Sequence, residues 1–65
     1  MITLYSTGCP NCNVLKMKLD NYNIEYNIEN NMSKIVELGF RSAPILDVDG
    51  KLMTFVEAIQ WLKGN

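Results

Sequence analysis

The sequence predicts a small α/β domain whose elements follow the order β-α-β-α-β-β-α and build a four-stranded mixed sheet. Three observations lead to this fold class. A short apolar run with β propensity, Ile2 to Tyr5, precedes a stretch with helical periodicity that begins at Pro10. Later in the chain, Asp49-Gly50 separates two apolar runs, as in a tight hairpin. A βαβ half followed by a ββα half is expected to form one sheet with helices packed on it.

The first half of the chain should contain a strand, a helix and a second strand. Ile2 to Tyr5 ends at Ser-Thr-Gly and has the composition of a buried strand. From Pro10 to about Asn21 the spacing of apolar residues is helical. These residues are Cys12, Leu15, Leu19 and Tyr22. Apolar and polar residues then alternate over residues 24–28, which predicts an edge strand with one apolar face.

The second half begins with a short helix opened by Asn30-Asn31. Its apolar residues Met32, Ile35 and Val36 share one side. Gly39 is placed to end the helix in a left-handed conformation, and the following Phe40 to make the hydrophobic contact that accompanies such a cap.

A hairpin and a last helix complete the predicted fold. The hairpin strands are Ile45 to Val48 and Lys51 to Met53, joined by the Asp-Gly turn. Thr54 and Glu57 have the spacing of a capping box, which predicts a helix start there, and Gly64 is expected to end that helix.

Composition indicates one globular domain spanning residues 1–65. Hydrophobic residues make up 48% of the chain and charged residues 20%, and the net charge is −1. Nothing in this balance points to nucleic acid, and no apolar run is long enough for a membrane span. Met1 leads directly into the first strand without a charged leader, so we expect a cytoplasmic protein. We also expect a monomer.

The motif that carries chemistry is Cys9-Pro10-Asn11-Cys12, which holds both cysteines of the chain. A helix that begins at Pro10 makes Cys9 its N-cap residue. There the thiolate can accept bonds from the N–H groups of Asn11 and Cys12 and interact with the positive helix end, so its pKa should fall. Cys12 lies one turn further on the apolar stripe and should be buried. This asymmetry predicts an attacking thiol, Cys9, and a resolving thiol, Cys12.

Two other roles for the cysteines fit the sequence less well. Structural zinc needs four ligands, usually Cys or His, and the chain has two cysteines and no histidine. A pair of simply buried cysteines would not require N-cap placement. A C-x-x-C motif beside a βαβ pattern in an intracellular chain is typical of redox proteins, so we expect a redox-active disulfide and neither a metal nor a tightly bound cofactor.

This motif and its surroundings resemble the glutaredoxin family, the smallest branch of the thioredoxin superfamily, over nearly the whole chain. The family's usual motif is CPYC, and Asn11 stands here in place of the tyrosine. The resemblance implies a minimal thioredoxin/glutaredoxin fold and a thiol–disulfide oxidoreductase active in electron transport and cell redox homeostasis. It also implies that Pro10 and Asn11 contribute to substrate binding.

A second part of the resemblance is Ala43-Pro44, which matches the family's Val-Pro site. The resemblance implies a cis proline that faces the active-site sulfurs, with Ala43 presenting its backbone to an extended substrate. From the residues alone, Pro44 would be read as the start of a strand with an ordinary trans bond.

The source of electrons is open between two branches of the family. Glutathione-using members resemble one another in a Gly-Gly before the last helix, where this chain has Met53-Thr54. Arg41 is still placed to meet a glutathione carboxylate, and the free N–H groups at Thr54 to bind an anion. Both residues are therefore candidates for substrate binding, with glutathione as a reductant.

The other branch is that of the NrdH-type redoxins, which take electrons from thioredoxin reductase and reduce ribonucleotide reductase. Residues 39–44 resemble the Gly-Phe-Arg-Gln-x-Pro stretch of that branch, but only Phe55 remains of its Trp-Ser-Gly-Phe segment. A different class of function is a thioredoxin-fold carrier or binding module without turnover, such as an iron–sulfur carrier. Within the family that role favours Ser or Gly after the first cysteine, and Pro10 argues against it.

Overall fold

A computed structural model describes residues 1–64 as a small α/β unit with a four-stranded mixed sheet and three helices. The strands are β1 (Ile2–Tyr5), β2 (Asn27–Glu29), β3 (Ile45–Val48) and β4 (Lys51–Met53). The helices are α1 (Pro10–Asn21), α2 (Met32–Glu37) and α3 (Phe55–Lys63). The predicted order of elements is confirmed.

The sheet has the strand order β2-β1-β3-β4. β1 pairs with β2 in parallel, whereas β1 with β3 and β3 with β4 are antiparallel. The two central strands are therefore β1, which leads into the cysteine motif, and β3, which follows Pro44. This arrangement brings the two predicted site segments to the same region of the fold, although 34 residues separate Cys9 from Ala43.

The main core lies between the sheet and helices α1 and α3. Leu4 of β1 and Leu46 of β3 are fully buried there, and the remaining members come from α1, β4 and α3. They are Leu15, Leu19, Met53, Ala58 and Leu62. Side chains alternate across a strand, so Ile45 points away from this cluster, and it is buried as well. Ile35 of α2 is also buried outside the cluster, and we infer that α2 covers this second face of the sheet.

Local signals set the predicted ends of the elements. Gly39 has a φ of +92°, its N–H bonds to the Val36 carbonyl and the Phe40 N–H to the Ile35 carbonyl, which is a Schellman cap. In the hairpin, Asp49 and Gly50 both have positive φ, as a type I′ turn requires. The helix α3 ends at Gly64, as predicted.

The prediction for the second strand is partly wrong. Residues 24–28 were expected to form it, but β2 spans Asn27–Glu29, where Thr3, Leu4 and Tyr5 offer pairing partners. The Ile24 N–H instead bonds to the Leu19 carbonyl at the end of α1. The expected apolar face is also incomplete because Ile28, on an edge strand, remains 50% exposed.

The helix α2 also differs from its prediction. Its expected apolar side consists of three residues, but only Ile35 is buried, while Met32 and Val36 are 40% and 60% exposed. A helix of six residues has fewer than two turns, so one residue can be buried against the sheet while its neighbours on the same side stay exposed to solvent.

Among residues 1–64, no helix is long and apolar enough to cross a membrane.

Candidate functional site

The site is built at the N-terminus of α1, where Cys9 and Cys12 form a disulfide. Cys9 is the N-cap residue with extended backbone angles, φ −69° and ψ 164°, and Pro10 is the first helical residue. Pro10 has no N–H to leave unpaired in the first turn, which suits that position. The two Cα atoms are 5.0 Å apart, as one helical turn dictates, and this separation lies within the range that a disulfide spans.

The two sulfurs have different surroundings. The Cys12 side chain is 0% exposed, whereas Cys9 is partly accessible. The Cys12 N–H donates to the Cys9 Sγ over 3.1 Å, so a helix-end donor points at the accessible sulfur. The Asn11 N–H, which was expected to donate as well, makes no such bond among the described residues. The predicted asymmetry between an accessible and a buried cysteine is present in the structure.

The loop before β3 forms the second part of the site. The Ala43–Pro44 peptide bond is cis, as the resemblance implied and as the residues alone did not. Pro44 is buried, and the Ala43 carbonyl oxygen lies 3.6 Å from the Cys9 Sγ. In the disulfide the sulfur carries no proton, so this approach is a contact between backbone and sulfur. It places the loop directly beside the accessible half of the disulfide.

A groove of about 290 Å³ runs from this loop to the start of α3. Four of the six predicted substrate-binding residues line it, namely Asn11, Ala43, Pro44 and Thr54. The other two do not, and the two cysteines lie beside the groove without lining it. Pro10 is exposed on the first turn of α1, and Arg41 is exposed beside the groove without contributing to its lining. The proposed contact of Arg41 with a ligand in this groove therefore lacks support from the geometry.

Five further lining residues were not assigned to the site from the sequence. They are Phe40, Ser42, Ile45, Phe55 and Val56. All of them are next to, or within four positions of, Pro44 or Thr54. Adjacency to those two residues was the available signal, but which neighbours point into the groove depends on how the loop and α3 pack.

The groove has a distinct electrostatic character because its lining contains no Asp, Glu, Lys or Arg. The carboxylate of Glu57 lies outside the lining but is hydrogen-bonded to the lining residue Thr54. Its Oε1 atom accepts from the Thr54 N–H at 3.0 Å and from the Thr54 hydroxyl at 3.1 Å. These two bonds, the backbone one first, lower the pKa of Glu57, and the charge of Lys51 adds a smaller effect in the same direction.

A larger cleft of about 610 Å³ lies elsewhere, beside the start of β1 and the segment that leads into β2. It includes Tyr26, whose hydroxyl donates to the Asp20 carboxylate at 2.8 Å. Partial burial raises the pKa of Tyr26 to about 12, and the bond and charge of Asp20 add to the effect. Neither cysteine lines either cavity, but the smaller groove is lined by Asn11, which lies between the two cysteines, and by Ala43, whose carbonyl oxygen is 3.6 Å from the Cys9 Sγ. We therefore take the smaller groove as the candidate binding surface beside the disulfide.

Comparison with known proteins adds no assignment. No family model, no curated protein and no solved structure matches the chain. The functional conclusion therefore rests on the arrangement of the disulfide, the cis-proline loop and the groove.

Proposed function

We propose that the protein is a small dithiol redoxin of the glutaredoxin type that reduces protein disulfides by thiol–disulfide exchange. The observation that carries this proposal is the position of Cys9. It caps α1, is partly accessible, accepts the Cys12 N–H, and is linked to a cysteine that is fully buried. A structural cross-link requires none of these features, whereas an accessible sulfur at a helix end beside a buried one suits attack by the first thiol and resolution by the second.

The mechanism starts from the reduced dithiol. The Cys9 thiolate attacks one sulfur of a substrate disulfide, which forms a mixed disulfide and releases the other substrate sulfur as a thiolate that takes a proton from water. Cys12 then loses its proton and attacks the Cys9 Sγ. This step forms the Cys9–Cys12 bond and frees the second substrate sulfur. Two electrons pass from the protein to the substrate, and the protein is left in the disulfide form described above.

The fold and the groove support the same proposal. The order β2-β1-β3-β4, with one parallel and two antiparallel pairs, is compatible with a thioredoxin-type topology. In this proposal Asn11, Ala43, Pro44 and Thr54 contact the substrate. The electrons come from glutathione or from a thioredoxin reductase. The expectation that the Thr54 N–H is free to bind a glutathione carboxylate is wrong, because this N–H donates to Glu57, and this favours the reductase. Ribonucleotide reductase is a candidate partner, and the cytoplasm is the proposed location.

A single-turnover reaction tests the proposal without assuming a physiological reductant. The protein is reduced with dithiothreitol, freed of it, and mixed with a protein disulfide while substrate thiols are counted. We expect the wild type to release two substrate thiols for each Cys9–Cys12 pair that becomes oxidised. A Cys9→Ser, Cys12→Ser double variant should release none. Equal thiol release by both proteins would overturn the proposal.

The reductant is assigned by a second experiment. The oxidised protein is offered NADPH with thioredoxin reductase, or NADPH with glutathione and glutathione reductase. Rapid NADPH consumption in only one system identifies the branch to which the protein belongs. If neither system reduces a protein that passes the single-turnover test, the electrons come from another donor.

A further inference from the structure

We propose that the groove beside the disulfide selects substrates by charge: it accepts a cysteine flanked by uncharged apolar residues and rejects one flanked by carboxylates, with Glu57 as a specificity-determining residue. This inference rests on the proposed function, because it concerns the substrates of the same disulfide. It assigns a role to a side chain that neither attacks nor resolves.

The surroundings of the Cys9 Sγ indicate where a substrate lies. The Cys9 Sγ lies 3.6 Å from the Ala43 carbonyl oxygen, so a substrate sulfur that approaches from the side of the cis-proline loop lies against Ala43. Ala43 is one wall of the groove that extends past Pro44 to Thr54. The residues next to the substrate cysteine are therefore the ones that enter the groove.

The lining of the groove is largely apolar and uncharged. Six of its nine lining residues are apolar, and the other three, Asn11, Ser42 and Thr54, are uncharged. Val56 is apolar and 62% exposed at this surface, so an apolar partner would remove it from water. A carboxylate that entered the same space would lose hydration without gaining a cation among the lining residues.

The start of α3 forms one end of the groove. The N-terminus of a helix normally attracts anions through its free N–H groups and its dipole. Here the Glu57 carboxylate already accepts the Thr54 N–H and the Thr54 hydroxyl. The end of the helix is thus occupied by the protein's own anion, and a second carboxylate near Thr54 would meet a like charge.

Two cations lie close enough in the chain to be considered. Arg41 sits between two lining residues, but its side chain is exposed and does not line the groove. Lys51 lines a different cleft together with Glu57 and Trp61. Glu57 is exposed to solvent as both cations are, but its carboxylate is held at the groove by two bonds to the lining residue Thr54, whereas neither cation is bonded to a lining residue among the described residues.

The test uses symmetrical disulfides of short peptides that are capped at both ends and differ only beside the cysteine, which is flanked by Leu, Gln or Glu. Single-turnover rates are measured with the prereduced wild-type protein. We expect the order Leu, Gln, Glu, with the Glu peptide slower than the Leu peptide by about tenfold or more, since like charges brought together and an unpaired buried carboxylate both oppose binding. A separate reaction of each peptide with dithiothreitol corrects for its intrinsic reactivity.

The role of Glu57 is tested by Glu57→Gln, whose amide can still accept from Thr54. We expect the rate ratio of the Glu peptide to the Leu peptide to rise several-fold in this variant. Glu25→Gln is the matched control, because it also removes one carboxylate but lies at the larger cleft, and its ratio should equal that of the wild type. Salt gives a second measurement that needs no variant: raising it from about 0.01 M to about 1 M shortens the Debye length from about 30 Å to about 3 Å and should narrow the wild-type ratio.

The outcomes separate the two proposals. No reaction with any peptide overturns the proposed function and this inference with it. Equal corrected rates for the three peptides overturn charge selection alone, while the redox function stands. A preference for the Leu peptide that Glu57→Gln leaves unchanged overturns the role of Glu57, whether or not salt reduces that preference.

Discussion

The Cys9 Sγ and the Ala43 carbonyl oxygen lie 3.6 Å apart, although 34 positions separate the two residues in the chain. This contact joins the N-terminus of α1 to the loop that precedes β3. Because β1 and β3 are neighbouring antiparallel strands, with Tyr5 paired with Ile45, the segment that follows β1 and the segment that precedes β3 lie at the same end of these strands. The pairing of β1 with β3 therefore holds the Cys9 Sγ next to Ala43 in the wall of the groove.

Attack by Cys9 and resolution by Cys12 predict different outcomes for the two single variants. Cys12→Ser should accumulate a stable mixed disulfide between Cys9 and a substrate protein, because no thiol remains to release it. Cys9→Ser should form no such complex, since Cys12 is 0% exposed. Non-reducing gels and mass spectrometry of the linked peptides measure both. A complex that forms on Cys12 in the Cys9→Ser variant would show that the assignment of the two roles is reversed.

The environment of Cys9 predicts a thiol pKa below the ordinary value of about 8.5. The Cys12 N–H donates to the Cys9 Sγ in the disulfide form, and we expect this donor and the positive end of α1 to stabilise the thiolate after reduction. Thiolate absorbance against pH in Cys12→Ser measures this pKa. The same titration of Cys9→Ser is the control, and burial should give the Cys12 thiol the higher pKa of the two. A Cys9 pKa at or above the ordinary value would contradict the role assigned to the helix end.

The single buried residue of α2 predicts unequal effects of two neighbouring substitutions. Ile35→Val removes one methylene from a fully buried side chain and should lower the free energy of unfolding by about 1 kcal/mol. Val36→Ala removes more atoms, but from a side chain that is 60% exposed, and should change it by less than about 0.5 kcal/mol. Urea unfolding followed by circular dichroism measures both. Equal losses would mean that α2 does not dock through Ile35.

The hydrogen bond between Tyr26 and Asp20 predicts a change of stability at alkaline pH. The pKa of Tyr26 is raised to about 12 from an ordinary value of 10.0, so the fold favours the protonated phenol. Its contribution to stability is fully present below pH 10 and is lost as the pH rises through about 12. Tyr26→Phe lacks the hydroxyl, so the wild type should have the higher free energy of unfolding below pH 10. The difference in free energy between the two proteins should shrink as the pH rises above 10.

Urea unfolding of both proteins at a series of pH values checks this prediction, with a difference of about 0.5 to 1 kcal/mol expected near neutral pH for an exposed hydrogen bond. Tyr22→Phe is the control because its hydroxyl makes no hydrogen bond within the described part of the chain. The prediction is contradicted if the difference between wild type and Tyr26→Phe is constant from pH 9 to pH 12 or if Tyr22→Phe reproduces it.

Much of the fold follows from local signals that a single sequence contains. Pro10 after Cys9 marks a helix start, and Gly39 and Gly50 mark positions where the backbone needs a positive φ. Each signal acts over a few residues and depends little on what packs against it. For this reason the order of elements, the N-cap position of Cys9, the Asp49-Gly50 hairpin and the end of α3 at Gly64 could all be predicted.

The remaining features depend on partners that are distant in the chain. The extent of β2 is set by which of its residues find partners on β1, so the alternation over residues 24–28 could not locate it. The groove likewise forms only where the loop before β3 meets the start of α3, and packing leaves Arg41 outside it while including Phe40 and Val56. The sequence by itself determined the order of the elements and the position of the C-x-x-C motif at a helix end, because those signals are local. The tertiary structure alone decided what surrounds that motif, because the surroundings come from contacts between separate elements.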